Sequence, residues 1–482
     1  MPSIKKNLLY NSTLTVSNYL FPFLTYPYVS RILGVANIGI YNWIDSIINY
    51  YIIFSVLGIG TVGIREIARV KNNKKEVSQV FSSLLILNGI TTFLMLIILV
   101  LSAILFPTLA QYKSMLIIGG VKLVFNYLLI EWFYIGIEKF KYITIRSILI
   151  KILYVISVFL FVKETDDYSI YYLLTTLMIV LSAFLNMIHS RKYVMIKFDN
   201  ILFRPYIKPL FTFGLYGFLS TMYASFNVAF LGLVTNEIEV GYYSTAIKLY
   251  VIFLSMFTAF TGVMLPRLSS LVQLGEMKQF QIMINKSIEL LLIIVLPLVV
   301  ISIIYAPQII NVISGSQYGG AILPMRIVMP LLLIIGYEQI LVKQILIPLK
   351  QDKIVFYNTI LGILINIFLN ILWVKTFGSA GSSCVWLFSE CIMICSIQYF
   401  FLKKIHLKIS YKKIANNILY SIPAFIFSYY FVLYCSSYMA DWIVLIIGAS
   451  LVFLYFICLH CLVLKNTIAL EIFSVLLNLK KM

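Results

Sequence analysis

The sequence predicts an all-α polytopic membrane protein with about fourteen transmembrane helices, arranged as two six-helix bundles that are followed by two further helices. The composition is the first reason: 61% of the 482 residues are hydrophobic and only 11% are charged, against about 45–50% and about 25% in soluble domains. The other two reasons are the length of the apolar stretches and the distribution of the basic residues between them. A chain this apolar has too little polar surface to be a soluble enzyme or a disordered chain.

A helix that crosses the bilayer needs about 20 mostly apolar residues. The sequence contains fourteen such stretches, which we call spans 1 to 14. It lacks the alternating runs of about ten residues that are typical of membrane β-strands. The spans cover residues 8–30, 41–64, 80–106, 114–136, 145–162, 170–190, 210–234, 242–263, 286–305, 322–346, 354–375, 381–402, 416–437 and 442–464.

The basic residues distinguish the two sides of the membrane. If the N-terminus lies in the cytoplasm, the cytoplasmic segments carry 28 of the 37 Lys and Arg residues, and the opposite loops carry four. Cytoplasmic loops of membrane proteins are enriched in Lys and Arg, so this distribution predicts that both termini are cytoplasmic. It also accounts for the net charge of +19 without a nucleic-acid partner.

The two halves of the chain show traces of a duplication. An offset of 202 residues aligns Gly39 with Gly241, Tyr41 with Tyr243 and Arg65 with Arg267, and it also aligns the start of span 1 with that of span 7. Six spans in each half give both halves the same orientation, which predicts a parallel repeat with a pseudo-twofold axis along the membrane normal. The predicted domains are a first bundle at 1–190, a cytoplasmic linker at 191–209, a second bundle at 210–402, and two additional helices with a cytoplasmic tail at 403–482.

The sequence lacks motifs for enzymatic chemistry or cofactor binding. It contains no G-x-x-x-x-G-K-[ST] loop for ATP, and its three histidines are far apart. Cys458-x-x-Cys461 has a metal-like spacing but lies in an apolar stretch, so we expect neither a metal nor another cofactor. The longest outer loop covers only residues 306–321, which argues against a membrane polymerase or glycosyltransferase with catalytic residues on long outer loops.

Charged residues inside the predicted spans are the candidate functional residues. A charge at mid-membrane costs about 2.5–3.5 kcal/mol, so it usually faces a water-filled cavity or a partner. Glu131, Lys151, Glu289 and Lys343 lie near the cytoplasmic ends of their spans and can reach the interface. The deeper residues, which we expect to line a cavity rather than to form buried structural ion pairs, are Lys122, Lys248, Glu338 and Glu390.

The cations predict an anionic ligand. We expect Lys122, Lys248 and Arg31, with Arg326 as a weaker candidate, to attract a phosphate or pyrophosphate group of a lipid carrier. Lys supplies a point charge and Arg a bidentate fork for such groups. The alternative for the two lysines is a structural ion pair with Asp45 or Glu390.

The carboxylates predict two further roles. Glu338 and Glu390 lie deep enough to exchange a proton as a cavity alternates between wet and dry, and the alternative is a permanently paired carboxylate. Under the repeat offset, Asp45 aligns next to Lys248, so we predict an Asp45–Lys248 ion pair as an outer gate. Alternatively, Asp45 only reaches the outer interface.

Two segments resemble a known family. Residues 21–41 read FPFLTYPYVSRILGVANIGIY, and residues 131–151 read EWFYIGIEKFKYITIRSILIK. Together with the MLPRLSSL turn at 264–271 and the plan of six, six and two spans, they resemble the O-antigen and repeat-unit flippases (Wzx type) of the multidrug/oligosaccharidyl-lipid/polysaccharide exporter superfamily. The second segment is the more specific, because Trp132-Phe133 followed by Gly136-x-Glu138 is rarely met elsewhere.

The resemblance implies a MATE-like fold of two helix bundles in a V shape, with a central cavity that opens alternately to each side of the bacterial cytoplasmic (inner) membrane. It implies a protein that is not an enzyme and that flips an undecaprenyl-diphosphate-linked oligosaccharide for O-antigen or capsule assembly. A polysaccharide polymerase and a chain-length regulator are its expected partners, and coupling to an H⁺ or Na⁺ gradient stays open. A multidrug cation antiporter of the same fold is the alternative, but it would want a net-anionic cavity and commonly has twelve spans.

Overall fold

The computed structural model describes residues 4–196, 201–405, 407–464 and 466, and the regular structure in these ranges is helical. The predicted tail beyond residue 466 and residues 197–200 of the predicted linker lie outside the described residues. The helices up to residue 241 are α1 Ile4–Val56, α2 Ile59–Val70, α3 Lys74–Leu105, α4 Pro107–Ala110, α5 Lys113–Tyr127, α6 Glu131–Gly136, α7 Phe140–Phe161, α8 Tyr168–Ser190 and α9 Arg204–Val234, with a 3₁₀ turn at Thr165–Asp167.

The second half of the chain is built in the same way. Its α-helices are α10 Glu237–Gln273, α11 Met277–Ile304, α12 Ala306–Ile313, α13 Ile322–Val328, α14 Leu331–Gln339, α15 Asp352–Lys404, α16 Tyr411–Cys435 and α17 Asp441–Cys458. A 3₁₀ segment lies at Ser316–Ala321, and two π-helical segments follow α14 and α17 at Ile340–Leu346 and Leu459–Val463.

The prediction of an all-helical membrane fold is confirmed, and each predicted span is largely helical, although short breaks interrupt spans 2, 4 and 10. Within the described residues, ten helices are long and apolar enough to cross a membrane, or eleven if the bent pair Ser316–Val328 and Leu331–Leu346 counts as one. The number is below fourteen partly because α1 and α15 have 53 residues each. Each contains two predicted spans, and its residues together correspond to about 80 Å of helix. The count of fourteen stays a prediction.

A glycine breaks each of these two long helices between its predicted spans. Gly34 in α1 has φ 73° and ψ 172°, and Gly378 in α15 has φ 54° and ψ −132°. Backbone of this kind is accessible almost only to glycine, because a Cβ atom would clash with the neighbouring peptide groups. The break lets the chain change direction between two spans without a loop that would expose its backbone groups.

The chain separates into two compact units, Met1–Gly241 and Tyr242–Met482, which we call unit 1 and unit 2. Helix α9 belongs to unit 1, where it packs on α1 and α2. Its sequence was expected to begin the second bundle. Packing alone does not decide which helices form one repeat, so the bundles at 1–190 and 210–402 stay predictions.

The segment at 131–138 lies in the hydrophobic core of unit 1. Trp132 and Phe133, both buried, pack with Phe81 of α3 at ring-centroid distances of 5.7 and 4.9 Å. A Cβ atom on Gly63 of α2 would come within 2.5 Å of the Trp132 ring. The aromatic pair therefore joins α2, α3 and α6. This packing role explains why two adjacent aromatic residues occur at 132 and 133.

A second aromatic contact holds α9 and the first turn of α10 against α1. Trp43 donates from Nε1 to the Ala229 carbonyl oxygen at 3.2 Å, and its ring lies 5.5 Å from that of Tyr112. The Tyr112 hydroxyl donates to the Glu237 carboxylate. Burial and the Glu237 carboxylate raise the pKa of Tyr112 above its ordinary value, so the hydroxyl stays protonated as a donor.

We predict that Gly34→Ala lowers the stability of the protein. A residue with a Cβ atom in this backbone conformation costs about 1–3 kcal/mol, so the Tm of the purified protein in detergent should fall by several degrees. Gly60→Ala is the matched control, because a Cβ atom at Gly60 has nothing within 4 Å. A Gly34→Ala protein with the Tm of the control would contradict the break.

Candidate functional site

Unit 1 contains an ion pair between two helices at positions predicted to lie inside the membrane. Lys122 on α5 donates to the Asp45 carboxylate on α1, and the two side chains are only 12% and 19% exposed. Asn49, one turn after Asp45, donates from Nδ2 to the second carboxylate oxygen at 3.1 Å. The Tyr172 ring of α8 lies 5.9 Å from the Lys122 ammonium nitrogen. The pair thus joins α1 and α5 beside α8.

This geometry matches the structural alternative that the sequence leaves open for Lys122. The Asp45 carboxylate compensates the charge of Lys122, so each charge stabilises the other inside the membrane. Lys122 can attract an anionic ligand only to the extent that the ligand competes with Asp45. The predicted Asp45–Lys248 gate stays a prediction, and it would require Asp45 to exchange Lys122 for Lys248.

The other three predicted cations lie in different places. Arg31 is exposed on α1, three residues before the break at Gly34, and Lys248 is partly buried on α10. Arg326 on α13 is exposed, and its Nε donates to the Ile303 carbonyl oxygen of α11 at 3.1 Å. It lines a groove of about 430 Å³ with Tyr429 and neighbouring residues of α16. Their role as substrate ligands stays a proposal.

Unit 2 brings the two predicted coupling residues together. Glu338 on α14 and Glu390 on α15 lie close enough for their carboxyl groups to interact electrostatically. Glu390 is 3% exposed, and its Oε1 accepts a hydrogen bond from Trp386 Nε1 at 3.1 Å. Two carboxylates this close repel each other unless one of them is protonated. Burial and mutual repulsion therefore disfavour the state in which both carboxyl groups are ionised.

A polar network surrounds Gln339, the residue that follows Glu338 on α14. Gln339 donates from Nε2 to Thr258 Oγ1 of α10 at 3.0 Å and accepts from Thr261 Oγ1 at 3.0 Å. Its Oε1 lies 3.5 Å from Lys343 Nζ. Lys343 belongs to the π-helical segment Ile340–Leu346, a kind of irregularity that often occurs at functional sites. Lys343, expected to reach the interface, therefore lies beside this network.

Arg146 is a buried charge that was not among the candidate residues predicted from the sequence. Helix α7 begins at Phe140, five residues before span 5, so Arg146 lies inside the helix and is 5% exposed. Its Nη2 donates to Glu131 Oε1 at 2.5 Å. Five residues later on α7, Lys151 donates to Ser17 Oγ of α1 at 2.8 Å. The position of Arg146 inside the apolar stretch 145–162 was the available sequence signal for a buried charge.

These long apolar helices and their intramembrane charges define a multi-pass membrane protein. The chain belongs to the family described as polysaccharide biosynthesis protein, which matches residues 4–272. The predicted relationship to the polysaccharide flippases is thereby confirmed.

Relatives with curated descriptions support the same assignment. A provisionally named O-antigen transporter of Escherichia coli (strain K12) is 24% identical over 410 residues, which cover 83% of this chain and 97% of the relative. A protein of Shigella dysenteriae with the same provisional name is 24% identical over 81% of this chain and 98% of its own. A provisionally named low-salt glycan biosynthesis flippase, Agl15 of Haloferax volcanii, is 22% identical over 42% of this chain and 45% of its own.

Solved structures share the fold. The lipid II flippase MurJ in an inward closed conformation superposes with a TM-score of 0.76 at 17% identity, over 94% of this chain and 98% of MurJ. An inward-facing multidrug resistance transporter of the MATE family superposes with a TM-score of 0.60 at 15% identity, over 80% of this chain and 96% of that transporter. The predicted MATE-like fold is confirmed. The likeness to MurJ extends over a larger share of this chain than the likeness to the MATE transporter.

We predict that the Lys122–Asp45 pair stabilises unit 1. Lys122→Met leaves a carboxylate in the bundle without its cation, and loss of one partner of a buried pair costs about 3–5 kcal/mol. The Tm in detergent should therefore fall clearly, and a second substitution, Asp45→Asn, should restore most of it. Lys113→Met, at an exposed position at the start of α5, is the control. Equal Tm values for wild type and Lys122→Met would show that the pair contributes nothing.

Proposed function

We propose that this protein is a flippase that moves lipid-linked oligosaccharide repeat units across a membrane by alternating access. The proposal depends on two observations: the chain belongs to the polysaccharide biosynthesis family, and its similarity to proteins named as O-antigen transporters extends over nearly their whole length. The likeness in fold to a lipid II flippase supports it. These relatives and structural neighbours are named as transporters or flippases, so we assign transport rather than an enzymatic reaction to this chain.

Family membership and the charge pattern also support a more specific substrate. We infer an undecaprenyl-diphosphate-linked oligosaccharide that serves O-antigen or capsule assembly in the cytoplasmic membrane of a bacterium, with both termini of the chain in the cytoplasm. Its pyrophosphate would be attracted by Arg31, Lys122 and Lys248, and more weakly by Arg326. In unit 1 the pyrophosphate would compete with Asp45 for Lys122. A polysaccharide polymerase and a chain-length regulator are the proposed partners downstream.

A multidrug cation antiporter is the second candidate, because MATE transporters share the fold. Such an antiporter needs an anionic site for a cationic substrate. The Glu338–Glu390 pair in unit 2 would meet this need in part. The intramembrane cations, together with the closer relationship to proteins named as O-antigen transporters, favour the flippase.

The repeat-unit assay tests the flippase proposal directly. Deletion of the gene should trap lipid-linked repeat units on the cytoplasmic leaflet, whereas deletion of a polymerase delivers single units to the outer surface. The measurement is the side on which the lipid-linked sugars accumulate, determined by their accessibility to an impermeant glycan-modifying reagent. Normal delivery of single units to the surface in the deletion strain would end the proposal.

Expression of variants in the deletion strain distinguishes a substrate-binding role of Lys122 from a structural one. The double variant Lys122→Met, Asp45→Asn removes the lysine and the carboxylate together, so no unpaired charge remains at this position. If Lys122 attracts the pyrophosphate, this variant restores export only weakly, although its Tm is close to that of the wild type. Full export would restrict Lys122 to a structural role.

We further propose that the Glu338–Glu390 pair couples transport to a proton gradient. The pair can hold one proton when the site is dry and release it when water reaches the carboxyl groups. Glu338→Gln or Glu390→Gln removes this exchange. Export in membrane vesicles should then fall to the rate that the wild-type protein shows after a protonophore collapses the gradient.

Glu276→Gln provides the matched control for this experiment, because Glu276 is exposed between α10 and α11. The control should retain the wild-type response to the gradient. If both pair variants also retain that response, neither carboxyl group couples transport to protons.

A further inference from the structure

A cavity of about 860 Å³ lies in unit 1 where α7 begins and α8 ends. Its other wall is the start of α1, which contributes Lys6 and Tyr10. In the predicted topology this is the cytoplasmic end of the helices. None of the predicted substrate, coupling or gate residues lines it, so the proposed transport function does not account for it.

The rim of the cavity is basic. Lys6, Lys139 and Lys141 line it, and the Lys139 ammonium nitrogen lies 5.3 Å from the centroid of the Tyr193 ring. Over the ranges that the structure describes, neither Lys139 nor Lys141 forms an ion pair with a carboxylate. Lys139 and Lys141 therefore carry positive charge that the described carboxylates do not neutralise through an ion pair.

The nearby acidic residues are already engaged. Glu138 lines the cavity but pairs with Lys71 at 2.8 Å. Glu131, from the neighbouring helix α6, pairs with Arg146 at 2.5 Å. Arg146 itself forms part of the cavity wall. The acidic groups around the cavity thus leave its net charge positive, which suits an anionic group.

One wall of the cavity is aromatic and fixed in place. The rings of Tyr142 on α7 and His189 on α8 stack with their centroids 3.8 Å apart and an angle of 13° between their planes. The Tyr142 hydroxyl donates to the Leu185 carbonyl oxygen at 3.0 Å. The stack ties α7 to α8, so the cavity keeps its shape without a ligand. A preformed site loses less conformational entropy when it binds a ligand.

Below the basic rim, the cavity is bounded by apolar residues. Ile145 and Leu149, one turn apart on α7, are 45% and 62% exposed, and Leu185 on α8 is 42% exposed. These side chains belong to the same cavity as the lysines. The cavity is therefore amphipathic along the helix axis, with charge at the helix ends and an exposed apolar surface further into the span.

We propose that this cavity binds an anionic glycerophospholipid of the cytoplasmic leaflet. Basic pockets between transmembrane helices on the cytoplasmic side bind acidic lipid headgroups. Here the phosphate lies among Lys6, Lys139 and Lys141, and the acyl chains lie along Ile145, Leu149 and Leu185. The apolar surface distinguishes a lipid from a free phosphate ion, which would use only the rim. The proposal does not rest on the flippase function, since the cavity lies apart from the proposed substrate residues.

The test is a lipid titration of the purified full-length protein, followed by native mass spectrometry. The probes are phosphatidylglycerol, phosphatidylcholine, glycerol 3-phosphate and undecaprenyl diphosphate. Phosphatidylglycerol should form a one-to-one adduct at concentrations where phosphatidylcholine and glycerol 3-phosphate do not. Each lysine near an anionic headgroup strengthens binding about fivefold. The Lys139→Gln, Lys141→Gln double variant should therefore bind phosphatidylglycerol about 25-fold more weakly.

The Lys74→Gln, Lys75→Gln double variant is the matched control. It removes the same charge from exposed positions at the start of α3, outside the cavity, and should bind phosphatidylglycerol as the wild type does. Equal binding of phosphatidylcholine, or equal loss in both double variants, would overturn the site. Displacement of phosphatidylglycerol by undecaprenyl diphosphate at lower concentration would assign the cavity to the substrate instead. Repeat-unit export is measured separately, so a failed flippase proposal would leave this result unchanged.

Discussion

The absence of water from the bilayer core is the constraint on which the rest of this structure depends. Backbone groups in the core must find hydrogen-bond partners within the protein, so the spans are helical. Charged side chains there are costly unless they are paired or hydrated. The helices of unit 1 accordingly hold the charges that the sequence places in them through named partners, as Lys122 does with Asp45 and Arg146 with Glu131.

The two units use intramembrane charge differently. Unit 1 joins cations to anions across helices, an arrangement that stabilises one packing of the bundle because separation of the partners exposes both charges to an apolar environment. Unit 2 places Glu338 beside Glu390, two groups of the same kind. The ionised forms of two such groups repel each other, so their proton content depends on how much water surrounds them. The first arrangement suits a rigid element, and the second suits a group that responds to a transport cycle.

Two irregularities in the helical backbone, the break at Gly34 and the π-helical segment after Gln339, change the direction in which side chains of one helix point. The break at Gly34 separates the two spans of α1, so that Asp45 can face α5 while the first part of the helix contacts α7. The π-helical segment after Gln339 changes the register of the residues that follow it, including Lys343.

The sequence by itself determined the class of this protein, because hydropathy and charge distribution follow directly from the lack of water in the membrane. It also determined the family, through segments such as 131–151, and it located apolar stretches that are largely helical in the structure. Only the tertiary structure decided which charges meet. Lys122 and Asp45 are 77 residues apart, and Glu338 and Glu390 lie 52 residues apart on different helices. Helical spacing predicts neighbours only three or four residues away. Contacts between helices depend on how each helix is rotated about its axis and packed against its neighbours. Because the apolar faces of the helices have similar compositions, the sequence shows no pattern that would predict these contacts.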